Sequence, residues 1–319
     1  MSQQTTTAPQ VRPVGGRISS ARRTRAIHGQ RRAFWLFIAP FLIGLVVFVY
    51  FPIAWSAFLS FFDAQGTVTP TKFVGLGNYT AMLSDKAFVS SLVTFTAFAV
   101  LIVPTTFALS LFLAVLVNRV RVARAFFRSV FFLPTACSYV VASLIWKLSI
   151  FNGVRFGMAN TLLGWIGVEP VSWLASLDPP WYWLVIVTAR LWLQAGFYMI
   201  LFLAALQNIN PELYEAAFVD GAKPGWQVFR HITLPLLRPT SISVLLLCLI
   251  AAYQAFDEFY NLLGAVEYAR PPLVYLYHLA LGSQQNFGLG SAGSLILAAI
   301  IAVVTVLQGK LLGFGRPSD

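Results

Sequence analysis

"YEAAFVDGAKPGWQVFRHITLPLL" runs from Tyr214 to Leu237, charged and punctuated by prolines where the chain on either side is apolar. One apolar run, 181–207, precedes it and another, 238–260, follows it. Each is long enough for the ~20 residues that a helix needs to cross hydrocarbon. A polar segment held between two such runs belongs at a membrane face, so the fold is decided by counting the others. Six stretches reach the length, near 34–60, 88–117, 127–150, 181–207, 238–260 and 290–312. The expected fold is all-α, a polytopic membrane protein with six transmembrane helices.

Composition points the same way. Of 319 residues, 58% are hydrophobic and 10% charged, whereas soluble domains carry about 25% charge. A soluble globule of this size leaves too much surface exposed to hide that apolar content. Cys137 and Cys248 sit inside apolar runs, where a thiol acts as a small hydrophobe, so no disulfide framework or thiolate metal site is indicated. His28, His231 and His278 are scattered, which gives no metal cluster either. Residues 1–33 read as a basic, disordered tail, with seven Arg and no acid by Arg32. A basic stretch before a span is the usual orientation signal and needs no nucleic-acid partner. The apolar run that follows is longer than a signal-peptide core, so a cleavable leader is not expected.

Orientation follows from Lys and Arg, which are enriched in short cytoplasmic loops. Seven lie in the tail, four in the 118–128 loop, three in the 208–239 segment and two at the C-terminus, sixteen in all. The opposite side has five: Lys72, Lys86, Lys147, Arg155 and Arg270. Both termini and the opening segment are therefore expected on the cytoplasmic side. Trp173, Trp181 and Trp183 cluster where the fourth span would meet the outer interface, as an aromatic belt does.

Within the polar segment, Asn210 is a good N-cap and Pro211 suits the first helical position. Glu212 and Glu215 fall in the first turns, where the helix dipole favours negative charge. Gly221 is placed to end the helix in a left-handed conformation. Leu213, Ala216, Ala217 and Asp220 share a face whose small alanines let another backbone approach. After Pro224, Trp226, Phe229 and Ile232 recur at helical spacing and are expected against the span ends. On physics alone, an interfacial amphipathic helix with no partner explains the segment equally well.

The motif is more specific than the periodicity. Glu215-Ala216-Ala217, Gly221 and Ile232-Thr233-Leu234-Pro235 resemble the EAA loop of permease subunits in binding-protein-dependent ABC importers. "DGA" (220–222) and "ITLPLL" (232–237) are similar to the carbohydrate-type members, as are "FVGLGNY" (73–79), "FFLP" (131–134), "LIWK" (144–147) and "FLAALQNINPELYEAA" (202–217). The resemblance covers about 34–313. It departs in two places: ten residues separate Gly221 from Ile232 where nine are usual, with Gly225 the candidate for the addition, and "LLGAVEYARPP" (262–272) stands where a "TGGGP" stretch is common.

The resemblance implies a permease domain over 34–313 with a cytoplasmic coupling helix between spans 4 and 5 in a loop at about 208–237, and a short cytoplasmic tail over 314–319. It implies that Glu215, Ala216, Ala217, Asp220 and Gly221 dock on an ATPase subunit. The chain would form half of an alternating-access path for a sugar or a related polyol or glycerol-phosphate-like solute. It would sit in the cell membrane of a prokaryote and work with a homologous, non-identical second permease, two ATPase subunits and an extracytoplasmic solute-binding protein. No cofactor is expected in this chain, ATP-Mg belonging to the ATPase, and no enzyme activity. "QGKLLG" (308–313) lacks the spacing and the Ser/Thr of a phosphate loop.

Polar residues inside spans are the candidates for the solute path, since each is costly in lipid. Arg190, Gln194 and Tyr198 recur every four residues, and Gln254, Asp257, Glu258 and Asn261 are spaced to share a face of the fifth span. Alternatively, Arg190 pairs with Asp257 or Glu258 only to neutralise itself, or the acids reach the outer surface. The rival function is an ion-coupled secondary transporter acting without an ATPase, which calls for an internal repeat or helices broken at the midplane; the sequence offers no convincing pair.

Overall fold

The computed structural model describes residues 34–120, 122–264 and 266–312, apart from the side chain of Glu267. The tails over 1–33 and 314–319, and Arg121 of the loop charge count, lie outside the described residues. The chain divides into Met1–Trp55 and Ser56–Asp319, each taken by itself. In the first unit the chain is helical from Phe34, as the start of α1 (Phe34–Leu59). Phe37, Phe41 and Phe48 are largely exposed there, a surface that suits lipid and not water.

The second unit begins with a hairpin of β1 (Phe62–Asp63) and β2 (Lys72–Phe73), antiparallel, with Phe62 opposite Phe73. "FVGLGNY" is the scaffold of this corner. Gly75 takes φ +57°, and Asn78 in α2 (Gly77–Ser84) donates from Nδ2 to the Ser60 and Phe62 carbonyls at 2.9 and 2.8 Å. The Phe287 N–H donates to the Ala64 carbonyl at 2.9 Å, joining the hairpin to the last helix.

Asp85 caps α3 (Lys86–Arg119), its carboxylate accepting from the Ala87 N–H at 2.8 Å. Pro104 lies inside this helix and cannot donate to the Val100 carbonyl, and the neighbouring Thr105 hydroxyl donates to the next carbonyl along, that of Leu101. The third expected span, 127–150, is two helices, α4 (Arg124–Ala136) and α5 (Tyr139–Ile150), bent by 97°. Pro134 lies in a tight 3-10 turn at the end of α4, and the Ser138 hydroxyl accepts from the Val140 N–H to start a new helix. In the loop that follows, Asn160 of α6 (Met158–Trp165) is 2% exposed and accepts from the Trp173 indole at 2.9 Å. Trp173 is therefore the core of this loop and not part of an interfacial belt; Trp181 is half-exposed beside it.

Next come α7 (Tyr182–Gln207), α8 (Pro211–Val219), α9 (Trp226–Leu236) and α10 (Arg238–Tyr253), with a 71° bend between α9 and α10. Two short helices, α11 (Asp257–Leu263) and α12 (Pro272–Leu281), lead to α13 (Phe287–Leu312). Among the described residues four helices are long and apolar enough to cross a membrane, or up to six spans if each bent pair counts as one. Four of the expected spans match single helices closely. The fifth does not run to 260: the helix ends at Tyr253 and restarts at Asp257.

Lipid gives helices no hydrophobic reason to associate, so contact rests on close packing through small residues. A Cβ at Gly196 would fall 1.9 Å from the Phe131 carbonyl oxygen, so α7 and α4 touch backbone to backbone. The Ser110 hydroxyl of α3 donates to the Ala195 carbonyl of α7 at 3.0 Å. Phe95, Phe98, Phe202, Phe259 and Met199 fill the space between α3, α7, α10 and α11. A second cluster, Met82, Phe88, Leu276, Leu279 and Leu297, packs α12 on α13, where Gly290 and Gly293 leave room. Beside it the Tyr275 hydroxyl donates to Asp85; burial first, then that carboxylate, holds the phenol well above its ordinary range.

Candidate functional site

The polar segment forms the helix its sequence called for. Asn210 Oδ1 accepts from the Glu212 N–H at 3.1 Å, Pro211 opens α8, and Gly221 ends it at φ +84°. No residue of α8 is buried. Glu215, Ala216 and Asp220 are exposed and Ala217 is half-buried, while Leu213, Phe218 and the 88%-exposed Val219 give the helix an apolar surface that is exposed among the described residues. A side-chain hydrogen bond ties it to α9, the Tyr214 and Thr233 hydroxyls lying 3.1 Å apart.

The departure in spacing falls on a wider helical turn. Gly225 precedes α9 at φ +111°, ψ −127°, a region essentially reserved for glycine. Phe229–Thr233 then forms a π turn, whose i→i+5 bonds hold one residue more than an α turn. Burial shows the same register: Val228, Thr233 and Leu237 are buried, spaced five and then four residues apart. Of the three residues expected against the span ends, Phe229 is half-buried against the core and Ile232 is half-buried, while Trp226 is 70% exposed. Without the wider turn, ten residues between Gly221 and Ile232 would rotate the rest of α9 away from its seat. The motif spacing was the signal for it.

The second constellation lies at the end of α10. Arg190 is 4% and Glu258 1% exposed, and they form a salt bridge. Arg190 Nη2 also donates to the Ala251 carbonyl at 2.5 Å and Nε to Gln194 Oε1 at 3.0 Å; Gln194 Nε2 donates to the Tyr139 hydroxyl at 2.8 Å. The guanidinium stands 5.3 Å from the Tyr139 ring centroid. Lys147 of α5 donates to the Asn261 carbonyl at 3.2 Å, at the other end of α11.

Of the six path candidates, then, Arg190, Gln194 and Glu258 meet. Tyr198 is buried outside this network, against Cys248. Gln254 and Asp257 are exposed. The single stripe on the fifth span does not form, because the helix breaks at Gln254–Phe256 and sends Glu258 inward while Asp257 stays outside. Tyr139 and Lys147 were missed as members. The need of Gln194, on the same face as Arg190, for a partner across the bundle was the available clue to Tyr139. Among the described residues no three His, Cys, Asp or Glu side chains stand together as a metal site requires.

Residues 107–312 match the family described as binding-protein-dependent transport system inner membrane component. The chain is similar to the lactose transport system permease protein of Rhizobium radiobacter, 33% identical over 91% of this chain and 95% of the relative. It is similar also to the arabinooligosaccharides transport system permease protein of Bacillus subtilis, 34% identical over 90% of each. The fold matches a chain from the crystal structure of a bacterial ABC transporter involved in the import of the acidic polysaccharide alginate, with a TM-score of 0.80 and 24% identity over 92% of this chain and 100% of that one.

Proposed function

The chain belongs to the family of inner membrane components of binding-protein-dependent transport systems, and from that premise we propose that it forms half of the path by which an ABC importer moves a sugar across the cytoplasmic membrane of a prokaryote. As a permease subunit it is a multi-pass membrane protein. Its partners are a second, homologous permease, two ATPase subunits and an extracytoplasmic binding protein. Both termini and α8 face the cytoplasm, on the strength of the sixteen-to-five distribution of Lys and Arg. The lactose and arabinooligosaccharide permeases among the relatives support a sugar, and an sn-glycerol-3-phosphate permease, 32% identical over 87% of this chain, keeps a glycerol-phosphate-like solute within the proposal.

The observation that carries the coupling step is the exposure of α8 together with its tie to α9. A nine-residue helix with Leu213, Phe218 and Val219 uncovered is shaped to enter a cleft on another chain. Through Tyr214 and Thr233 any movement of α8 reaches α9, and Leu237, fully buried, carries it into α10. Closure of an ATPase dimer would thus rock the spans between inward and outward states. Glu215 and Gly221 supply the contact and the sharp exit.

Co-purification with the ATPase subunit tests this reading. Glu215→Arg should cut ATPase retention and nucleotide-driven movement of the spans by about tenfold, the effect of losing ~1.4 kcal/mol at an interface. Unchanged retention and unchanged movement would sink the assignment of α8. The secondary-transporter alternative, which dispenses with an ATPase, predicts that no ATPase subunit co-purifies at all.

A further inference from the structure

We propose that Arg190 is the positioning residue that carries the lever's movement across the break in the fifth span; the inference rests on the permease reading above. The helical path from α8 through α9 and α10 ends at Tyr253, and Phe256, at φ −139° and ψ −59°, is not helical. A break of this kind is where rigid-body motion is lost: the backbone bonds of α10 stop at the Ala255 N–H, which donates to the Ala252 carbonyl, and those of α11 start at the Phe256 carbonyl, which accepts from the Tyr260 N–H. Beyond it lies α11, next to the exposed Gln254 and Asp257.

Arg190 spans that gap. One arm of its guanidinium holds the Ala251 carbonyl in the last turn of α10, and the other holds Glu258 in the first turn of α11. Nε is fixed on α7 itself by Gln194, which is tied to Tyr139 at the start of α5. Lys147 grips the far end of α11 through the Asn261 carbonyl. Both halves of the broken span are thus attached to the bundle by one buried, planar group, a task for which lysine, with a single ammonium, has the wrong shape.

Stability does not explain the arrangement. A buried ion pair is replaceable by apolar residues of similar volume with little loss, and ionisable groups inside a membrane protein mark functional positions. What apolar replacements cannot do is hold Ala251 and Glu258 at a fixed separation. The role inferred for Arg190 is mechanical: it makes α10 and α11 move as one body.

Spin labels on the assembled permease–ATPase complex in liposomes test this without knowledge of the solute. One pair joins exposed Val100 on α3 to Leu247 on α10, and the other joins Val100 to Asp257 on α11. In the otherwise native complex, trapping with ATP and vanadate should shift both distances. In the Arg190→Met, Glu258→Met double variant, the α10 pair should shift as before while the α11 pair stays at its resting distance. A double variant whose α11 pair moves normally overturns the proposal and leaves the pair as self-neutralisation. Should the double variant fail to assemble, Arg190→Lys decides: a normal α11 shift overturns the proposal, and a lost one supports it. If neither pair responds in the native complex, or no ATPase is retained, it is the permease reading that fails.

Discussion

Glu215 and Arg190 are charged residues in a chain that has few, and the fold treats them in opposite ways. Glu215 lies on α8, which has no buried residue and is tied to α9 by the hydrogen bond between Tyr214 and Thr233. Arg190 is 4% exposed and its three donor nitrogens reach three different partners. Among the described residues the first region keeps its surface exposed, as the proposed docking requires. The second meets every demand internally, as a group inside a span must, because lipid offers no water to take up an orphaned charge. Removing a side chain should therefore cost fold stability in the second region and only function in the first.

The largest effect should come from separating the buried pair. Glu258→Ala leaves Arg190 charged in an apolar surrounding, and loss of one partner of a buried pair typically costs about 3–5 kcal/mol. Denaturant unfolding of the purified chain in detergent measures it. The Arg190→Met, Glu258→Met variant should lie within about 1.5 kcal/mol of the native chain, since no uncompensated charge remains. If Glu258→Ala proves as mild as the double variant, the guanidinium finds water where the structure buries it.

Gly225 tests the border between the two regions. Any side chain there must adopt φ +111°, which costs of order 1–3 kcal/mol, although a Cβ would meet no atom within 4 Å. Gly225→Ala should destabilise by about 1–2 kcal/mol through backbone strain alone. Deleting Gly225 sharpens the point: the nine-residue spacing returns, and α9 should revert to an α turn with Val228 and Thr233 no longer on one face. Hydrogen exchange over 226–237 would register the change of seat. Unaltered protection there would mean that the π turn and the added residue are unrelated.

These regions differ as much in how far they could be read from sequence. The caps of α8 were legible at Asn210, Pro211 and Gly221 because capping is local chemistry, decided within a few residues. Four spans were legible for the same reason, hydropathy being a property of each segment. The bend between α4 and α5 was less so, since Pro134 and Ser138 lie in an apolar run and only tertiary packing turns them into a corner. The stripe on the fifth span failed at Gln254, where neither Pro nor Gly marks the break. Continuous helical spacing puts Asp257 and Glu258 on neighbouring positions of one face, and only the break decides that Glu258 turns in to Arg190. Trp173 was misplaced because a tryptophan beside a span reads as interfacial until Asn160, thirteen residues earlier, claims its indole.

The tie between α8 and α9 supplies a smaller test. Thr233→Val removes the hydroxyl that meets Tyr214 while keeping its shape, and loss of one neutral hydrogen bond is worth about 1 kcal/mol. Thermal unfolding should show that modest loss. The functional loss should be larger if, as proposed, this bond passes the movement of α8 to α9. Val100–Leu247 labels should then report a smaller shift with nucleotide although the ATPase still binds. A full shift would show that the backbone through Gly221 and Gly225 carries the movement unaided.

The smallest expected change in stability belongs to Glu215, and it bears most directly on the contrast between the two regions. Exposed and without an ion-pair partner among the described residues, its replacement by Ala should move the unfolding free energy by no more than about 0.5 kcal/mol. Alanine's helix propensity even offsets part of the lost dipole interaction near the N-terminus of α8. A protein built only to keep α8 folded has no use for that carboxylate, so a variant of native stability that no longer retains the ATPase would place the whole effect at a contact between chains. A loss of stability matching the loss of retention would say instead that Glu215, like Arg190, holds its own chain together, and the opposition between the exposed lever and the buried pin would fall.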